Sequence, residues 1–430
     1  MAESPRRILL VDADAFFVAV ARQEDPEGAG KATLLIVGGR PGSRGVVCSA
    51  SYECRAYGVR SAMSIQRALK LCPNATCVPV PRGACSRRSK EIQQVLAQFS
   101  PVVQASSIDE WYCDLGGTEA LYGHESLTAT AHRMRTAVFE ATGLNVSIGG
   151  GTSRLVAKMA VEVAKPKPGT GADGVHCVAP GDEQAFLSRF RLADLPMVGP
   201  RFAATLERMG LVDVRDAQGW SEAALVSRLG ERAGHWLARR VRGEDDSIVT
   251  PRDRQKQVSR EETFGRDLDD DDLIERELLR LAVRVSTDLR RQALRARTVT
   301  VKLRDSDFKT RTAQHTLGRF IESEKSVAVA ARQLFRQLRA RRKGKVRLLG
   351  IALSHFDDEP DRSAPPARVQ LGLFGADPPK PGAHPDPEEN DRDRALTKAL
   401  DRIRGRFGAE AILPARLVDP GRDTGPRVEE

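Results

Sequence analysis

The sequence predicts an α+β protein of several domains, and three observations carry that prediction. At 430 residues the chain is too long for one ordinary core and points to two to four domains. Its first 170 residues alternate strand-like and helix-like segments, the pattern of a sheet layered with helices. A second unit over residues 258–356 reads β-α-β-β-α-β, the order of a split βαβ sheet.

The elements follow from apolar period and from breakers. Residues 7–12 (RILLVD) and 32–37 read as strands, with a helix over 15–24 between them. Residues 46–50 form a strand, 64–71 and 86–99 helices, 102–107 and 111–115 strands, 126–142 a helix, 145–149 a strand and 153–164 a helix. This is an α/β layer with an insertion near residues 19–80. A Pro/Gly break at 166–172 opens a run of short helices. Residues 192–211 resemble a helix–hairpin–helix, with Met197 where the usual Gly-x-Gly turn has its first glycine and Pro200 after the second. Residues 216–243 look like a second such unit, with Gly230 and Gly234 near its turn. After a polar tether to residue 257, strands at 258–266, 298–304, 309–315 and 345–354 and helices at 271–294 and 322–339 build the second unit. From residue 357 the chain turns rich in Pro, Asp and Arg and reads as a flexible tail, with an amphipathic helix at 391–407.

Composition narrows the partners. The net charge is +10, and residues 280–347 alone hold 20 Lys/Arg against 5 Asp/Glu, the footprint of a surface that tracks a phosphate backbone. Few aromatics argue against stacking on splayed bases as the main grip. Seven scattered cysteines without a Cys-x-x-Cys pair speak against a zinc site or disulfide framework and for a reducing cytosol. No signal-peptide core and no apolar run near the membrane-spanning length is present, so a cytoplasmic protein without a membrane partner is expected.

Chemistry concentrates at strand ends. Asp12 and Asp14 close the first strand, and Asp109, Glu110 and Asp114 flank a later one. Two strands paired in one sheet would set Asp12 beside Asp109 and Glu110, the carboxylate arrangement that two-metal phosphoryl transfer uses. Tyr52 and Arg55 stand three apart on one helical turn, and Lys158 and Lys165 follow a Gly-Gly-Gly-Thr-Ser start. Arginine and lysine are the cations that hold a triphosphate, one as a fork and one as a point charge.

From about residue 7 to 356 the chain resembles a Y-family DNA polymerase of the bacterial polymerase IV type. It carries, in order, Asp-x-Asp-x-Phe-Phe, Tyr-x-x-Arg, Ser-Ile-Asp-Glu and the Ala-Lys block ending in Lys-Pro. The resemblance implies a right-hand architecture: palm at 1–18 and 81–167 with a ferredoxin-like fold, small fingers at 19–80, a helical thumb with helix–hairpin–helix units at 168–243, a linker at 244–257, a β-α-β-β-α-β little finger at 258–356, and a flexible tail at 357–430. It implies error-prone translesion synthesis without proofreading, in which a primer 3′-hydroxyl attacks a dNTP and pyrophosphate leaves.

The site residues are carried over position by position. Asp12, Asp109 and Glu110, with the Ala13 carbonyl, would hold two Mg²⁺ ions, Mn²⁺ being the alternative. Asp14 would support them from behind. Tyr52, Arg55 and Lys158 would bind the triphosphate, and Lys165 would be a structural partner near the junction of palm and thumb. Phe17 would be the steric gate under the sugar, and Val46, Cys48 and Ala62 a small-residue roof over the base. In the tail, Gln370, Leu371, Leu373 and Phe374 resemble a sliding-clamp binding peptide. Primed template DNA, dNTP and the bacterial sliding clamp are the implied partners of a monomer. Two positions depart from the family pattern: Trp111, where a small residue is usual, and Ala15. A non-catalytic adaptor of the same family would have lost the carboxylates. A nucleotidyl cyclase would not need the hairpins, the basic unit or the clamp peptide, and a pure DNA-binding module leaves the triphosphate cations unexplained.

Overall fold

The computed structural model describes residues 5–166, 171–251, 255–357 and 386–418. The chain divides into two compact units, residues 1–253 and 254–430. Among the described residues no helix is long and apolar enough to cross a membrane.

The first unit is organised by a five-stranded sheet in the order β5-β6-β1-β7-β8. Its central strand β1 (Ile8–Ala13) is buried at every position, so both faces are covered. It runs antiparallel to β6 (Glu110–Asp114) and to β7 (Val146–Gly151). The outer strands are β5 (Val102–Ala105), antiparallel to β6, and β8 (Val175–Cys177), parallel to β7. Leu9, Val11 and Ala13 share one core with Phe16 of α1 (Phe16–Glu24), Ile92 and Leu96 of α4 (Arg82–Leu96), and Met134 and Val138 of α5 (Leu127–Thr142). On the opposite face Ile8 and Leu10 pack with Ala157 and Val161 of α6 (Arg154–Ala164).

A second, three-stranded sheet lies between α1 and α4 in sequence. Its centre β2 (Leu35–Gly38) is antiparallel to β3 (Val47–Ala50) and parallel to β4 (Thr76–Val78). Two short helices, α2 (Tyr52–Ala56) and α3 (Ile65–Leu71), start at the serine caps Ser51 and Ser64 and close over Ile36, Val47 and Ala50. The sequence reading missed β4 and β8, each three residues long and too short to show a period.

Five helices complete the unit: α7 (Glu183–Leu187), α8 (Pro200–Glu207), α9 (Val214–Gln218), α10 (Glu222–Leu229) and α11 (Glu231–Arg240). The arm expected before Met197 is a single 3₁₀ turn, Leu192–Asp194, rather than an α-helix. Met197 has φ 73°, the left-handed backbone that a glycine would adopt without strain, so the turn keeps the glycine geometry without the glycine.

The second unit has the expected order: β9 (Gln257–Leu268), α12 (Asp271–Arg291), β10 (Ala296–Asp305), β11 (Thr310–Ile321), α13 (Glu324–Arg341) and β12 (Val346–Phe356). Its sheet order is β11-β10-β12-β9, with every neighbouring pair antiparallel. Strand β12 therefore separates β9 from β10, and β10 separates β11 from β12, so both βαβ units are split. Val299, Val301 and Leu303 point into the helix-covered core, while the intervening Thr300, Lys302 and Arg304 lie on the other face.

Two expectations change in this unit. The excess of cations does not form one free surface. Arg284, Arg290, Arg311, Arg336 and Arg339 are engaged by Glu262, Asp401, Asp305, Glu275 and Asp271 respectively. Nor is the whole stretch after residue 357 a free tail. Helix α14 (Asp391–Phe407) is present at the expected bounds and, with the segment to residue 418, is tied to α12 and α13, while Asp386 before it is bonded to β11.

Candidate active site

The alternation of β1 decides where the first carboxylate goes. Asp12 follows Ile8 and Leu10 on the α6 face, at the end of the strand. Glu110 is its register partner across the antiparallel ladder, so the two side chains leave the same face from adjacent strands. Asp109 joins through its backbone, its carbonyl accepting the Ala13 N–H at 2.9 Å. Its carboxylate accepts a hydrogen bond from the Ser107 hydroxyl, which holds it against its own loop.

Helix α6 meets these carboxylates with two lysines seven residues apart, hence two turns along one face. Lys158 Nζ lies 2.5 Å from Glu110 Oε1, and Lys165 Nζ lies 3.0 Å from Asp12 Oδ2 and 2.7 Å from Glu162 Oε1. Gly149 permits this approach. A Cβ there would sit 2.1 Å from the Val161 nitrogen and 2.3 Å from the Ala157 oxygen, both backbone atoms of α6.

Electrostatics follows from burial. Asp12 is 8% exposed. Burial pushes its carboxyl up to about 7, with Lys165 pulling it down and Glu110 adding to the rise. Burial works against the Lys165 charge, but the attraction of Asp12 and Glu162 outweighs it and raises that lysine above its ordinary value. Asp14 is raised by burial, against the Ser147 hydroxyl that donates to it at 2.8 Å.

The triphosphate candidates gather on the Asp14 side. The Arg55 guanidinium lies 5.3 Å from the centre of the Tyr52 ring, and its Nε donates to the Ala50 carbonyl at 3.0 Å. Burial raises the Tyr52 pKa, and Asp14 and Asp12 add to it while Arg55 and Lys165 oppose, so these groups share one field. A cleft is lined by Asp14, Ala15, Tyr52, Arg135 and Pro166 among others. Lys165 thus pairs with Asp12 and Glu162 beside these groups, where the sequence reading set a structural partner near the junction of palm and thumb. Its signal was the Ala-Lys-Pro end of α6. Lys158 lies on the Glu110 side, with its ammonium engaged by that carboxylate.

Phe17 is half-buried and meets Phe16 edge-on, ring centres 5.6 Å apart. Val46 is 47% exposed and Cys48 exposed. Ala62, at φ 66°, is brought to the same strand by its N–H to the Val47 carbonyl at 2.9 Å. Trp111 points away from the carboxylates, because it alternates with Glu110. It fills the core with Leu9 and Val11, and its indole N–H has no partner among the described residues. Ala15 sits at φ 46° and caps α1. Gln370, Leu371, Leu373 and Phe374 lie outside the described residues.

Among the described residues no three His, Cys, Asp or Glu side chains converge tightly enough to enclose a metal ion. The donor set nonetheless suits a hard cation. Mg²⁺ is ordinarily held by one or two carboxylates plus substrate phosphates rather than by an all-protein cage. Asp12 and Glu110 are register partners, and their salt-bridge partners among the described residues are the ammonium groups of Lys165 and Lys158.

Comparison with known proteins agrees with this geometry. Residues 11–162 match the impB/mucB/samB family, and residues 255–371 match the C-terminal domain of the same family. The chain is 33% identical over 354 residues to DNA polymerase IV of Listeria monocytogenes serotype 4a (strain HCC23), covering 82% of this chain and 96% of that protein. It is 34% identical over 411 residues to DNA polymerase IV of Desulfatibacillum aliphaticivorans, covering 96% of each. Among solved structures, a Y-family DNA polymerase chimera of Dbh and Dpo4 superposes with a TM-score of 0.72 at 24% identity, over 82% of this chain and 99% of that one. An insertion ternary complex of Dbh DNA polymerase gives 0.56 at 23%, over 81% and 98%. The chain therefore belongs to the impB/mucB/samB family and is a Y-family, DinB-type DNA-directed DNA polymerase of the translesion class.

Proposed function

We propose that this polymerase extends a primed DNA template by two-metal nucleotidyl transfer, joining a dNTP to the primer 3′-hydroxyl with release of pyrophosphate. The observation that carries the reading is the register pair Asp12–Glu110, flanked by Lys165, Tyr52 and Arg55. Asp12, Asp109, Glu110 and the Ala13 carbonyl would hold two Mg²⁺ or Mn²⁺ ions, which when bound neutralise charge on the entering and leaving oxygens. For Asp109 this requires its carboxylate to leave Ser107. Tyr52 and Arg55 bind the β- and γ-phosphates. Lys165 would add a third contact, and Lys158 would remain a neighbour of Glu110.

Phe17 excludes a 2′-hydroxyl by overlap with the sugar. The small roof of Val46, Cys48 and Ala62 leaves room for a damaged template base and checks shape poorly, so synthesis is error-prone and bypasses lesions. In this reading synthesis proceeds without proofreading. In this reading residues 1–18 and 81–167 are the palm, 19–80 the fingers, 168–243 the thumb and 258–356 the little finger, with 244–257 as linker. The enzyme works as a monomer in the bacterial cytosol, recruited to the sliding clamp through Gln370–Phe374.

Primer extension with Mg²⁺ and four deoxynucleotides tests the reading. Extension by the wild-type chain that disappears in Asp12→Ala and Glu110→Ala is the expected result. Extension that survives either substitution would overturn the assignment of the metals.

A further inference from the structure

The cleft on the Asp14 side holds more positive charge than Tyr52, Arg55 and Lys165 account for. It has a volume of about 380 Å³, and Arg22 of α1 and Arg135 of α5 line it together with Ala15, Tyr52 and Pro166. Both arginines are half-buried. Both are anchored on backbone carbonyls instead of carboxylates. Arg22 Nη2 donates to the Ala32 carbonyl at 3.0 Å, and Arg135 Nε donates to the Val146 carbonyl at 3.0 Å. Gly174 clamps Arg135 further, since a Cβ there would lie 2.3 Å from its Nε. Neither guanidinium makes a salt bridge among the described residues.

A half-buried guanidinium carries a desolvation cost that a carboxylate ordinarily offsets. Anchored on uncharged carbonyls, it keeps its charge and its remaining N–H groups for an anion, and its fork suits phosphate oxygens. Because both side chains are already fixed, little further ordering is needed on binding. Two acids share the walls. Asp14 is occupied by the Ser147 hydroxyl, which donates to it at 2.8 Å, and Glu53 is exposed.

We propose that this cleft is an exit site for pyrophosphate, with Arg22 and Arg135 as its anion contacts. This rests on the reading of Tyr52, Arg55 and Lys165 as triphosphate contacts. A triphosphate held by Tyr52 brings its outer phosphates to a wall of the cleft, because Tyr52 lines it. Once formed, pyrophosphate has lost the sugar and base that fix a dNTP in place, so it is free to shift toward the two arginines. Binding there draws the product from the reacting centre and opposes the reverse reaction. Release of product is a step that limits many enzymes.

The test is primer extension by the full-length chain at fixed Mg²⁺, titrated with inorganic pyrophosphate, with the dNTP KM measured in parallel. Arg22→Gln and Arg135→Gln should each raise the pyrophosphate inhibition constant by about tenfold and the dNTP KM by less than about threefold. Arg135→Lys should recover part of the loss. Glu53→Gln removes an exposed acid from the wall and should lower the inhibition constant by about twofold to threefold, a gain that a folding defect does not produce. Inhibition constants unchanged in both glutamine variants overturn the inference. So does a dNTP KM that rises as far as the inhibition constant, which would give the arginines to the bound nucleotide. Failure of the triphosphate reading shows separately, as an unchanged dNTP KM in Lys165→Met, and removes the ground of the inference as well.

Discussion

Lys165 reaches Asp12 across 3.0 Å, from a helix whose other lysine, Lys158, is already taken by Glu110. The two ammonium groups therefore differ in what they can do for a nucleotide. Lys165 shares its surroundings with Asp14, Tyr52 and Arg55, whereas Lys158 is paired with Glu110. Lys165→Met should raise the KM for dNTP by about tenfold to a hundredfold, the loss of one charge-assisted contact of about 1.5–3 kcal/mol. Lys158→Met should change KM several-fold less. Steady-state kinetics on one primed template compares the two directly, and an equal effect would show that the sides are not distinct.

Gly149 sets how close α6 stands to the sheet. Gly149→Ala adds a methyl against backbone atoms that have no rotamer to yield. A loss of about 1–3 kcal/mol is expected from overpacking. Because the strain lifts α6 off β7, kcat/KM at a temperature where the variant is still folded should fall further than stability does. Thermal melts paired with extension rates separate the two effects.

Phe17 stands at the start of α1, half-buried and braced edge-on by Phe16. In the proposed gate, removing its ring would open space under the sugar. Phe17→Ala should raise ribonucleotide incorporation relative to deoxynucleotide by at least about tenfold, at the upper end of what steric pockets discriminate. Unchanged sugar selectivity would remove Phe17 from the gate.

Met197 is 79% exposed and held at φ 73°. The left-handed backbone costs an L-residue about 1–2 kcal/mol, part of which glycine returns in the unfolded chain. Met197→Gly should be neutral or stabilising by up to about 1 kcal/mol, and Met197→Val destabilising by about 1–2 kcal/mol because a β-branched side chain fits that region worst. Chemical denaturation midpoints at constant slope decide it.

The sequence made the sheet elements and the carboxylates legible for a specific reason. Strands such as β1 and long helices such as α12 carry a clear apolar period, and Asp12 and Glu110 sit where a strand ends. Three things were not legible. Strands of three residues, β4 and β8, show no period. The pairing of Lys165 with Asp12 depends on how closely α6 packs on β7, where Gly149 leaves room for the helix backbone. The cluster of cations in the second unit looked like a single free surface because a count along the chain does not show which arginines face carboxylates from Asp271, Glu275 or Asp401. The burial of Trp111 was hidden in the same way: a bulky residue beside Glu110 is harmless to it because strand alternation turns it to the opposite face.

The docking of Asp386 has a consequence for reach. Asp357 is held by Arg295, and Asp386 accepts the Gly318 N–H at 2.7 Å and lies 2.8 Å from His315 Nε2, so the chain leaves and rejoins the same unit. Residues 370–374 are joined by the chain to an anchored residue on either side, Asp357 and Asp386. At about 3.5 Å per residue neither arm can extend beyond roughly 45 Å. A clamp bound there would stay within that radius of the second unit, and cutting one arm would leave it attached by the other.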